Sequence, residues 1–138
     1  MMKRLLALAL LLAPVPAASA TRVEVADGNW SFLPLMKQRG SDHLNNDALA
    51  RINEIVHAKA CTFPGQQGPH YDVTVSFAAH FAPNGALDRL VMKRLNCPEV
   101  ESLVGGVLLE MVAGGDYRPT GENSEGWYRG ELSFGGKA

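Results

Sequence analysis

Residues 71–81 constrain this chain more than any other stretch. Tyr71, Val73, Val75, Phe77, Ala79 and Phe81 fill every odd position, while Asp72, Thr74, Ser76 and His80 stand at even ones. Successive side chains of a strand point to opposite faces, so this alternation predicts a long strand with one buried and one wet face. A strand of that kind needs a layer over its apolar side. Pro83, Asn84 and Gly85 follow. Proline presets φ and the next two residues tolerate positive φ, so the chain turns and residues 86–95 return as an antiparallel strand.

The covering layer is read from two helical patterns. Over residues 46–60, Ala48, Leu49, Ile52, Ile55, Val56 and Lys59 recur at spacings of three and four, with Asn45 or Asn46 as cap and Asp47 in the first turn. Pro98 opens the second helix at a position that needs no N–H, and Glu99 and Glu101 complement its dipole. Val100, Leu103, Val104, Val107, Leu108 and Met111 line one face. Gly105 and Gly106 mark either close packing or a kink, and Gly114 and Gly115 end the helix. Residues 127–134 form the last strand, with Tyr128, Leu132 and Phe134 on one face and Trp127, Arg129, Glu131 and Ser133 on the other. The predicted fold is α+β, a small antiparallel sheet with both helices on one face and a solvated opposite face carrying Thr74, Ser76, His80, Arg129 and Glu131.

The N-terminus reads as an export signal over residues 1–20. Lys3 and Arg4 precede the apolar run 5–13, Pro14 and Pro16 break it, and Ala18, Ser19 and Ala20 supply small residues for cleavage. That run is shorter than the roughly 20 residues a spanning helix needs, so no membrane span is expected after cleavage. Residues 21–45 are expected to be an N-terminal extended segment. Val23 and Val25 alternate with Arg22 and Glu24, as an edge strand or an unstructured lead, and Trp30, Phe32, Leu33 and Leu35 form an irregular segment over the core. Residues 46–138 form the domain. Losing Lys3 and Arg4 moves the net charge from −1 to about −3. No basic face is left to hold a phosphate backbone, which argues against nucleic acid. In an exported chain the two cysteines, Cys61 and Cys97, read as a structural disulfide. A redox pair would sit closer together, and metal ligation would need further ligands.

Catalytic patterns are sparse. The histidines are His43, His57, His70 and His80. None has a ligand partner at metal spacing, and His70 and His80 stand about 33 Å apart at strand rise. Gly-x-Ser-x-Gly and phosphate-loop patterns are absent. No catalytic residue, metal or cofactor is assigned. Trp127, Tyr128, Arg129 and Glu131 are the candidate binding residues, because Trp, Tyr and Arg dominate recognition hot spots.

The order of the alternating strand, the turn ending in Asn84-Gly85, the return strand, the Cys97-Pro98 helix, Tyr117-Arg118-Pro119 and the strand ending in Phe134 resembles the C-terminal domain of the TonB family, the periplasmic end of the Gram-negative energy transducer. The resemblance implies an α-β-β-α-β order and capture of a short peptide by adding it to the edge of residues 127–134. The family's membrane helix and proline-rich spacer have no counterpart here, so binding mode is implied and energy transduction is not. The expected function is therefore an exported, periplasmic, non-enzymatic binding or accessory protein. Its expected partner is a segment of an outer-membrane transporter or another periplasmic protein. The alternatives are a small enzyme or ligand-binding module with a pocket between sheet and helices, and a hydrolase inhibitor acting through the loop 122–126.

Overall fold

A computed structural model describes residues 22–58, 60–120 and 125–137. The expected signal segment 1–20 and most of the 122–126 loop lie outside the described residues. The elements in chain order are β1 (Glu24–Ala26), β2 (Lys37–Gln38), α1 (Asn46–His57), β3 (His70–Phe81), β4 (Leu87–Lys93), α2 (Pro98–Ala113), β5 (Tyr117–Arg118) and β6 (Gly126–Lys137).

The alternating stretch is the centre of the fold, as its periodicity demands. β3 pairs with β4 on one edge and along its whole length with β6 on the other. Its odd residues Val75, Phe77 and Ala79 are fully buried. They meet Ile52 and Ile55 of α1, Val100, Val104 and Leu108 of α2, and Leu132 and Phe134 of β6 in one core. The class is α+β, with both helices over the odd face of β3. These side chains fill the centre of the space between sheet and helices, and a cavity of about 460 Å³ lies at its β1 side, lined in part by Val23, Val25, Gly105 and Leu109.

Two expectations are corrected. The four-stranded sheet, in the order β1-β4-β3-β6, is mixed and not purely antiparallel, because β1 pairs parallel with β4. A small second sheet joins β2 to β5, antiparallel. The face away from the helices is not wholly solvated either. Ala78 and Val91 lie on it and are buried. The cause is the chain between β1 and β2. It leaves one edge of the sheet at Ala26 and reaches the other at Pro34–Met36, and the helices occupy the inner face, so it crosses the outer one as a strap. The segment 22–45 is thus woven into the domain: Met36 and Leu44 are core residues.

Local chemistry explains the boundaries. The Asn45 side chain accepts the Ala48 N–H at 2.8 Å and caps α1. The helix ends at His57, short of the predicted residue 60. The Ala60 N–H reaches back to the Ile55 carbonyl at 3.3 Å as the chain turns toward Cys97. α2 runs unbroken from Pro98 despite Gly105 and Gly106. The reason for Gly105 is close packing, since a Cβ there would stand 3.2 Å from Val23, the residue before β1. Glu101 is buried, and its carboxylate accepts the Leu95 N–H at 2.7 Å, closing the β4–α2 junction. Cys61 and Cys97 are joined as expected, their Cα atoms 5.7 Å apart, tying the end of the first helical segment to the start of the second. β6 continues three residues past Phe134 because Gly135, Gly136 and Lys137 still pair with Asp72, Tyr71 and His70. The ladder outweighs the poor strand propensity of the two glycines.

Candidate binding surface

The strand expected to bind a partner is an edge strand of the sheet. In an antiparallel pair, backbone N–H and C=O groups point alternately toward and away from the partner strand. Arg129 sets the phase for β6. Its N–H donates to the Pro34 carbonyl at 2.9 Å, and its own carbonyl accepts the Met36 N–H at 2.8 Å, both away from β3. The other odd residues, Trp127, Glu131, Ser133, Gly135 and Lys137, therefore also face the outer edge.

That edge has two halves. The first is closed. Pro34–Met36 lies along it, with Leu35 in a parallel bridge to Arg129, and the Tyr117 hydroxyl donates to the Glu131 carbonyl at 3.2 Å. The Arg129 guanidinium adds a bond from Nε to the Leu33 carbonyl at 2.9 Å. The Thr120 hydroxyl donates to the Leu35 carbonyl at 3.2 Å. The second half, Ser133 to Lys137, is exposed at Ser133, Gly135 and Lys137. No backbone partner outside β3 meets it among the described residues.

The four candidate residues do not form one patch. Trp127 is half-buried on the outer face. Its ring centre stands 5.1 Å from that of His80, and the Arg89 guanidinium lies 5.2 Å over it. Tyr128 faces the opposite way, into the core, edge-on to Phe81 at 6.0 Å. Its alternation with Trp127 placed it there in the sequence as well. The Arg129 side chain is consumed by the strap. Glu131 is exposed and borders a cavity of about 100 Å³ with Ser76, Lys93, Arg129 and residues 28–31 of the strap.

Around Trp127 the outer face carries a charged row that the sequence reading missed. His80 Nδ1 lies 2.6 Å from Asp88, and Arg89 pairs with Glu24 at 2.9 Å. The offset of eight between His80 and Asp88 across a hairpin was the available signal. Ser76 shares this face but stands four residues along β3, about 13 Å at strand rise, beyond the reach of a nucleophile for His80. Among the described residues, no three His, Cys, Asp or Glu side chains converge where a metal ion could sit.

A second gap lies on the far edge of β3. β4 leaves after Lys93, and the loop rejoins only through the Gln67–His70 bridge. By the same alternation, Asp72 and Thr74 point their backbone groups into a cavity of about 300 Å³ lined in part by Phe63, Pro64, Val73 and Leu95. Beneath the sheet, burial pushes the Tyr71 phenol up, and its hydroxyl donates to Asn53 of α1. Burial, reinforced by the charges of Asp42 and Asp116, does the same to Tyr117. The Asp42 carboxyl is held below its usual range, first by its hydrogen bond to His43.

No family model, curated protein or solved structure matches this chain.

Proposed function

We propose that this is an exported, periplasmic, non-enzymatic binding protein with a TonB C-terminal-like domain. On this reading the outer edge of β6 captures an extended peptide segment of an outer-membrane or other periplasmic protein. One observation carries it: β6 already accepts an extended segment, Pro34–Met36, through main-chain bonds at Arg129, so the edge has the geometry for strand addition. The half from Ser133 to Lys137 is where an outside strand would continue that addition. The disulfide supports an oxidising compartment. Among the described residues no helix is long and apolar enough to cross a membrane.

Titration with synthetic periplasmic segments of outer-membrane transporters tests the proposal. The decisive variant is Ser133→Pro. The Ser133 N–H points away from β3, so proline there leaves the main-chain β3–β6 ladder intact and removes a backbone donor from the open edge; Ser133→Ala, which loses the same hydroxyl contact to Thr74 at 2.9 Å, is the reference for both binding and stability. Binding that weakens about tenfold with an unchanged denaturation midpoint supports strand addition. No binding by the wild type, or equal binding by the variant, refutes it.

A further inference from the structure

We propose that Phe32, Leu35, Lys37 and Arg118 form a docking patch for an anionic lipid surface. Phe32 and Leu35 are the exposed large hydrophobic residues among the described part of the chain, at 79% and 52% accessibility, and both stand on the strap. Phe32 sits at the tip of a turn closed by the Leu33 N–H on the Trp30 carbonyl.

The strand register places the other members beside them. Leu35 bridges Arg129, and bridged residues share a face, so Leu35 lies on the outer side. Met36 points the other way and is buried. Alternation then returns Lys37 to the outer side, directly opposite Arg118 in the β2–β5 pair. Like charges directly opposite on neighbouring strands are destabilising. Neither cation has an acidic partner among the described residues. Arg118 uses Nε on the Gly115 carbonyl, and Lys37 makes no side-chain bond to a described residue. The nearby acid Asp42 contacts the Gln38 side chain, and Gln38 pairs with Tyr117, so it belongs to the opposite side of this small sheet. Glu131 shares the outer face but lies further along β6, bordering the small cavity with Lys93.

A double cation with no acidic partner among the described residues, next to two exposed apolar side chains, matches the chemistry of an anionic bilayer interface. Headgroups receive Lys37 and Arg118, and the acyl boundary receives Phe32 and Leu35. A free phosphate would satisfy the cations and leave the apolar pair in water. An extended peptide would use the β6 edge instead, which at Arg129 is already closed.

Co-flotation with vesicles tests this. Phosphatidylcholine vesicles with and without phosphatidylglycerol are compared, with Trp30 and Trp127, the two tryptophans of the chain, as fluorescence reporters. The protein is expected to float with the anionic vesicles and not with the zwitterionic ones. Each of Lys37→Gln and Arg118→Gln should lower the vesicle partition constant about fivefold. Phe32→Ser with Leu35→Ser should lower it several-fold with the charge unchanged, and inorganic phosphate at matched ionic strength should not release the protein. Ser133→Pro should bind vesicles like the wild type, which separates this patch from the peptide edge. Equal binding to both vesicle types, no binding to either, release by phosphate, or indifference to the four patch substitutions would overturn the proposal.

Discussion

Gly130 is the residue of β6 whose replacement has the most sharply defined consequence. It stands opposite Phe77 of β3, on the core face, and the Phe77 ring lies across it. A Cβ added at Gly130 would meet Phe77 Cζ at 2.5 Å, Cε2 at 2.9 Å and Cε1 at 3.1 Å. Carbon atoms rest about 3.5–4.0 Å apart, so the ring must move by about 1 Å. It cannot move freely. Phe77 is fully buried, and its ring already meets Tyr117 edge-on with centroids 5.2 Å apart. Overpacking of this kind costs about 1–3 kcal/mol. The backbone of Gly130 is outside the left-handed region, so alanine also gains about 0.4–1 kcal/mol by restricting the unfolded chain. Gly130→Ala is therefore expected to destabilise by about 1–2 kcal/mol. In a Phe77→Leu background the ring edge is gone and only the gain is left, so the same substitution becomes neutral or slightly stabilising. The coupling of about 2 kcal/mol is read from urea denaturation of the four proteins of a double-mutant cycle. Equal cost of Gly130→Ala in both backgrounds would falsify the steric account. The contact matters for the candidate edge because Phe77 supports Tyr117, whose hydroxyl closes the Glu131 carbonyl.

Three further outcomes are expected. Replacing both Cys61 and Cys97 by alanine opens a loop of 36 residues and should cost about 4 kcal/mol on the chain-entropy model, or on the order of 15 °C in melting temperature; a melting temperature shared by the variant and the oxidised protein would contradict this. Tyr71 and Tyr117 have folded pKa values above 10.0, so the stability they contribute is fully present below pH 10 and is lost as pH rises through their folded values. Tyrosinate absorbance of the folded protein should lag behind that of the urea-unfolded chain, and coincident titration curves would count against the burial argument. Asn53→Ala leaves the half-buried Tyr71 hydroxyl without its acceptor and should cost about 1–3 kcal/mol in urea denaturation, with Tyr71→Phe in the same background recovering part of that loss; no recovery would mean that the hydroxyl had found another partner.

The parts of this fold legible in the sequence are those governed by local rules. The alternation of 71–81, the Pro83-Asn84-Gly85 turn, the proline start of α2 and the apolar faces of both helices each report a short-range constraint, and each element stands within a few residues of its expected place. The strap was legible only as an irregular segment over the core, and the exposure of its Phe32 and Leu35 was not. Its path is set by pairs far apart in the chain, Ala26 with Lys93 and Leu35 with Arg129, and no periodicity in residues 27–36 announces them. The same cause hid the division of the candidate site. Alternation could separate Tyr128 from Trp127, Arg129 and Glu131, but only the strap's position reveals that the Arg129 backbone and side chain are already engaged. Glu101 reads as helix-end electrostatics in the sequence. Its burial and its bond to Leu95 come from the junction with β4, a packing effect that composition does not carry.

The length of the open edge bears on how the two proposals relate. Ser133, Gly135 and Lys137 offer about six main-chain groups to an added strand, and the flanking side chains are a serine, two glycines and Lys137. At a net value of about 0.5–1.5 kcal/mol for each hydrogen bond, these give at most about 9 kcal/mol. Association alone costs about 4 kcal/mol or more before any contact is counted. A peptide held only at this half-edge would therefore bind no more tightly than roughly a few tenths of a millimolar, and with little sequence selectivity, because glycines offer no pockets. Useful affinity needs a second attachment that raises the local concentration of the partner. The patch of Phe32, Leu35, Lys37 and Arg118 stands beside the closed half of the same edge. Docking there would confine the protein to the surface from which a membrane-protein segment projects, converting a weak edge contact into an effective one. If both hold, peptides offered in solution should bind far more weakly than the same peptides anchored in anionic vesicles, and charge removal at Lys37 and Arg118 should erase that difference without changing the solution affinity.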